Sequence, residues 1–180
     1  MSSHNAKPTF WWGIGIGALL ALPVIGLSSA ANALFRLPLI PSDVMDTLPN
    51  VLPVDLLNLG KQVMIETLLI FNPERLDALA KPAELIIGTV TLLALCAVVI
   101  GVAYHLASRS SAPKNGLNYS LAGGLLIAAL MSLIHIGLPA VQFSRTGGAI
   151  FFDIAFIVAL FTGFGYAAGW VYQRLSATTS

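Results

Sequence analysis

Residues 36–81 read RLPLIPSDVMDTLPNVLPVDLLNLGKQVMIETLLIFNPERLDALAK, and how this stretch is read decides how many times the chain crosses a membrane. The sequence on either side of it consists of long, nearly uncharged apolar runs. Within it, Pro38, Pro41, Pro49 and Pro53 forbid a long regular helix before about residue 53, because each lacks a backbone N–H and restricts the residue before it. From Val54 to Phe71 the polar residues Asp55, Asn58, Gln62 and Glu66 recur at spacings of three, four and four and form one helical stripe. Leu56, Leu57, Leu59, Val63, Leu68 and Leu69 cover the rest. Such a helix lies in the membrane interface, or enters and leaves from one side. The competing reading is a further crossing, which would bury Asp55, Lys61 and Glu66 at about 2.5–3.5 kcal/mol each.

Composition agrees with a membrane setting. Of the 180 residues, 57% are hydrophobic and only 9% charged, and the mean hydropathy is +0.85, a balance foreign to soluble domains. The formal net charge of +1 and the lack of any basic run give no purchase on nucleic-acid phosphates. A single cysteine, Cys96, excludes an internal disulfide and multi-cysteine metal sites; it reads as a small packing residue.

Working outward, residues 1–9 form a polar N-terminal tail, and residues 10–35 are long enough to cross a hydrocarbon core of about 30 Å. A signal peptide is the alternative, since Lys7, the apolar run and SSAANA mimic its three regions; the run exceeds the usual h-region of about 7–15 residues, so the span is expected to be retained. Beyond the proline-rich and amphipathic segment (36–83), spans are expected at 84–107, 119–142 and 149–172, with a C-terminal tail at 173–180. The expected fold is therefore an all-α integral membrane protein with four transmembrane helices and an amphipathic interfacial or re-entrant helix between the first and second. Gly13 and Gly17, and again Gly165 and Gly169, are spaced for close helix approach, although glycine is also simply common in membrane helices.

Charge sets an expected orientation. Lys7, Arg109, Lys114 and Arg174 fall on the side shared by both termini, against Arg145 in the opposite short loop, so the termini are read as cytoplasmic and residues 36–83 as outside. Trp11, Trp12, Tyr104, Tyr119, Trp170 and Tyr172 then gather at the inner interface. A bacterial inner (plasma) membrane fits this pattern.

Intramembrane chemistry is sparse. His105 and His135 invite a b-type haem, but on this topology they differ in depth by about 24 Å and cannot ligate one iron. No nucleotide loop, metal-ligand cluster or nucleophile arrangement is present, so no catalytic, metal or cofactor-binding residue is assigned and no cofactor is expected. One pair stands out. His135 lies ten residues before Arg145 and Asp153 eight after it, so in an antiparallel hairpin they share a depth about 10–15 Å in from the helix ends. They form either a buried structural hydrogen bond or a site for proton or cation handling.

The segment ALFRLPLIPSDVMDTLPNVLPVDLL (33–57), followed by LAKPAELIIGTVTLLAL (79–95), resembles the N-terminal membrane region of membrane-anchored molybdopterin-dependent oxidoreductases of the sulfite oxidase type. The likeness covers roughly residues 15–105. That family's cofactor-binding residues lie in a catalytic domain following the membrane region, so none carries over. The resemblance implies a non-catalytic membrane anchor or accessory subunit of a possibly redox complex, docking other membrane or extracytoplasmic subunits through residues 36–83, with Asp55, Asn58, Gln62 and Glu66 as the docking stripe. The alternative is a small proton- or cation-coupled transporter using His135 and Asp153.

Overall fold

The computed structural model describes residues 9–51, 53–71, 76–110, 115–138 and 146–178. Among these the chain is all helical: α1 (Phe10–Phe35), α2 (Ile40–Val51), α3 (Val54–Phe71), α4 (Leu76–Arg109), α5 (Asn115–Gly137) and α6 (Gly147–Thr178). Four of them, α1, α4 from Lys81, α5, and α6 to Ala177, are long and apolar enough to cross a membrane. They pack in the order α1, α4, α5, α6, with α6 returning to α1, so the spans close into a ring. Ile100, Ile127, Met131, Ile157 and Phe161 fill its centre. Outward-pointing Leu19, Leu22, Val90, Val98, Leu126, Leu133 and Val158 are exposed, as side chains facing lipid should be.

Without a hydrophobic force between helices in lipid, close packing at small residues holds the ring together. Gly13 and Gly17 sit against the backbone of Gly101, Ile100, Ala97 and Cys96, where an added Cβ would collide with α4. Gly124 and Gly165 do the same across α5 and α6, and Gly169 meets Leu117. At the end of the bundle remote from α2, Tyr104 donates a 2.7 Å hydrogen bond to the Ala168 carbonyl and stacks edge-to-face on Tyr172.

The element boundaries depart from the sequence reading: α5 begins at Asn115 rather than 119, α6 runs from Gly147 to Thr178 through most of the tail expected at 173–180, and three further departures bear on the site. Helix α4 begins upstream and runs through Pro82, with Lys81 and Glu84 paired at 3.1 Å across that turn. Helix α5 stops at Gly137 rather than near 142, since Leu138 precedes Pro139 and such a residue disfavours helical backbone; the expected extension to 142 and the turn at Arg145 lie outside the described residues. The largest departure is α2. The proline-rich run, read as unfit for a long helix, forms three helical turns and folds back onto the bundle.

Its prolines explain how. Pro41 occupies the first turn, where the backbone N–H has no helical partner to lose, and Pro49 and Pro53 fall near and beyond the far end. The chain reverses at Arg36, in the left-handed region at φ 56°, where Arg36 N–H donates to Asn32 O (2.9 Å) and Asn32 Nδ2 donates to Leu37 O (2.7 Å). Buried Ser28 of α1 then caps α2 from outside: its hydroxyl donates to Pro38 O and accepts from Ile40 N–H, each at 3.0 Å. Ile40, Pro41 and Val44 are buried, and the Pro41 carbonyl lies where a side chain on Gly88 of α4 would be.

Gly88→Ala should therefore displace α2 and destabilise the protein by roughly 1–3 kcal/mol, the range for over-packing. Gly26→Ala, at a glycine with open space around it, should be neutral or slightly stabilising. Thermal unfolding in detergent, with both variants beside the wild type, measures the difference.

Candidate functional site

Three helix ends meet beneath α2. Its first turn carries Asp43, the last turn of α5 carries His135, and the second turn of α6 carries Asp153. The His135 imidazole lies between the two carboxylates, with Nδ1 2.7 Å from Asp43 Oδ2 and Nε2 3.3 Å from Asp153 Oδ2. Side-chain exposure is 3% for His135, 0% for Asp153 and 15% for Asp43, so the cluster is sealed except along the edge where Asp43 meets the surface. Main-chain contacts fix that edge: Asp43 N–H donates to Leu39 O at 3.1 Å, and Thr47 Oγ1 donates to Asp43 O at 2.9 Å.

The depth differs from the sequence estimate. His135 is two residues from the end of α5 and Asp153 six from the start of α6, or about 3 and 9 Å along their axes rather than 10–15 Å. The early stop of α5 is the cause. The cluster is a shallow polar layer roofed by α2, and the next turns inward, Met131, Ile127, Ile157 and Phe161, are buried and apolar. Ser132 lies one turn inward of His135 on α5, buried, with no hydrogen-bond partner on its hydroxyl.

Asp43 is the member that sequence reasoning missed, because the proline-rich run was read as an outer, non-helical segment. The signal was present: a proline followed closely by an acidic residue at a helix start is a recognised N-terminal pattern, and Pro41-Ser42-Asp43 fits it.

The geometry limits the chemistry. A neutral imidazole has one donor nitrogen and one acceptor, whereas two ionised carboxylates both need donors. With both ring nitrogens facing carboxylates, no lone pair is left to activate a hydroxyl, and His135 offers no nitrogen to haem iron. The carboxylates lie on opposite edges of the ring and do not converge on a common point; among the described residues no group of three or more His, Cys, Asp or Glu could hold a metal ion. His105, the other membrane histidine, is exposed on α4, away from this layer.

The four residues expected to form a docking stripe lie on α3. Asp55, Asn58, Gln62 and Glu66 are all exposed on α3, with Gln62 Nε2 donating to Glu66 Oε1 at 2.9 Å. The apolar residues Val54 (70%), Leu59 (58%) and Ile65 (47%) are exposed as well. Helix α3 leans chiefly on α4. The side chains of Leu56, Leu57, Leu68 and Leu69 lie outside the described residues.

Double-mutant cycles on His135→Gln with Asp153→Asn, and on His135→Gln with Asp43→Asn, should give non-additive stability changes. Coupling of about 0.6–2 kcal/mol is expected, the range for hydrogen bonds between membrane helices. Additive losses in both cycles, read by unfolding in detergent, would mean the three groups do not interact. No protein-family model, curated protein or solved structure matches the chain.

Proposed function

We propose that this protein is a non-catalytic membrane anchor or accessory subunit of a membrane-associated complex, and that residues 36–83 form its docking platform. One observation carries the reading. Helix α2 is bonded and packed to three spans, while the adjoining α3 exposes its polar stripe and its apolar Val54, Leu59 and Ile65 together. An amphipathic helix exposed on both faces is poorly satisfied by water alone, and lipid can cover only one side. The partner we infer is an extracytoplasmic or membrane oxidoreductase polypeptide, a class suggested by the resemblance of residues 15–105. It would meet the stripe Asp55, Asn58, Gln62 and Glu66.

The buried ionisable trio favours a second reading, a small proton- or cation-coupled transporter using His135 and Asp153. Against it, Met131, Ile127, Ile157 and Phe161 continue inward from the trio as an apolar plug. Transport would need a polar route through that layer.

Two measurements test the platform, both on a Cys96→Ala background. In intact cells a membrane-impermeant thiol reagent should modify Gln62→Cys and spare Ala177→Cys; the reverse would place the platform on the cytoplasmic side. Photo-cross-linking from position 58 or 62 in native membranes should capture one distinct polypeptide with redox activity, and charge reversal at Asp55 and Glu66 should lower its yield. Capture of lipid alone, with yield indifferent to those charges, would reduce α3 to an interfacial anchor.

A further inference from the structure

We propose that Asp43, His135 and Asp153 form a proton-operated latch: one bound proton, carried on the imidazolium of His135, fastens α2 to the α5–α6 hairpin. The inference concerns how α2 is held, and it stands whether or not α3 docks a partner.

The argument begins with donors and acceptors. Both carboxylates can accept from the ring at 2.7 and 3.3 Å only when Nδ1 and Nε2 each carry a hydrogen. Remove that proton and one nitrogen turns a lone pair toward a carboxylate oxygen, replacing a charge-assisted bond with repulsion in a site that water barely reaches. The helices favour the charged arrangement. Asp43 lies in the first turn of α2, where the helix dipole is positive, and His135 in the last turn of α5, where it is negative. Asp153, near the start of α6, adds to the same pattern, more weakly for lying in the second turn.

Burial decides which arm lets go. Asp153 is wholly enclosed within the α5–α6 packing, whereas Asp43 is partly exposed and sits on a short helix bounded by the turn at Arg36 and by Pro53. Once the proton leaves, the Asp43 carboxylate can turn to water and the Asp153 carboxylate cannot. Asp43 from α2 and Asp153 from α6 are the acidic groups acting on His135 among the described residues; α1 and α4, packed on the same stretch of α2, bring the Ser28 hydroxyl and the bare backbone of Gly88. The sign follows: lowering the pH fills the latch and holds α2 down, and raising it past the titration of the imidazolium frees α2.

The full chain in phosphatidylcholine nanodiscs, which expose both membrane faces, provides the test. Val44→Cys on Cys96→Ala places a thiol on the buried face of α2, and its maleimide labelling rate is divided by that of an exposed Gln62→Cys control to cancel the thiol's own ionisation. The ratio should rise about tenfold from acidic to alkaline pH, the equivalent of ~1.4 kcal/mol. It should be high at every pH in Asp43→Asn, and His135→Gln should abolish the pH dependence. With His4→Gln and His105→Gln leaving one histidine, ¹⁵N spectra at the acidic end should show both ring nitrogens protonated. A neutral ring there, a flat ratio in the unsubstituted latch, or an unchanged pH response in His135→Gln would each overturn the proposal. No partner is present, so these outcomes are separate from those of the cross-linking experiment.

Discussion

The structure depends on the seat of the first turn of α2 against α1 and α4. A chain that leaves one span and folds back onto the bundle carries unpaired backbone groups into the packing, and where they are buried, protein must satisfy them. Ser28 takes two of those groups at once, the Pro38 carbonyl and the Ile40 N–H. Pro41 has no N–H to satisfy, and Gly88 yields the space its carbonyl needs. With those contacts in place Ile40 and Val44 are buried and Asp43 is delivered to His135. Without them, Asp43 would be one more acidic residue of the segment between the first two spans.

That seat also explains how charge is tolerated so near the apolar core. A lone buried carboxylate or imidazolium would be very costly, whereas a charged group answered on each side by an opposite charge is far less so. The layer is placed where three helix termini converge, so the backbone dipoles support the same signs as the side chains. One turn deeper this help fades, and the packing there is Met131, Ile157 and Phe161. The polar layer is thus confined to the end of the bundle by the same physics that permits it.

Much of this was legible in the sequence. The span at 10–35 follows from length and lack of charge alone, and the glycine pairs at 13/17 and 165/169 mark two of the interfaces because a missing side chain can be read directly. The juxtaposition of His135 and Asp153 comes from counting outward from one turn, a local inference over 18 positions. Asp43 is 92 positions from His135, and no periodicity links them. Its place depends on a short helix, Ile40–Val51, in a run whose prolines weigh only against a long one. Proline costs a helix interior a hydrogen bond and costs its first turn none, so the same residues support opposite readings until the start of the helix is known.

The segment between the first two spans is consequently two objects, divided near Pro53. Helix α2 is tied to the spans through the buried Ser28 hydroxyl, the close approach at Gly88 and the part-buried contact of Asp43 with His135. Helix α3 leans chiefly on α4 and carries its charges and several of its large apolar side chains at the surface. A rigid base beside a helix with unfilled surface is the arrangement that loses least conformational entropy on docking, because only the second part must be ordered by a partner. If the proton on His135 governs how firmly the base is held, then the position of α3 inherits that dependence through the short link at Pro53. Docking and protonation would be coupled reciprocally: whatever binds α3 more tightly when α2 is seated must also tighten the hold of the trio on its proton.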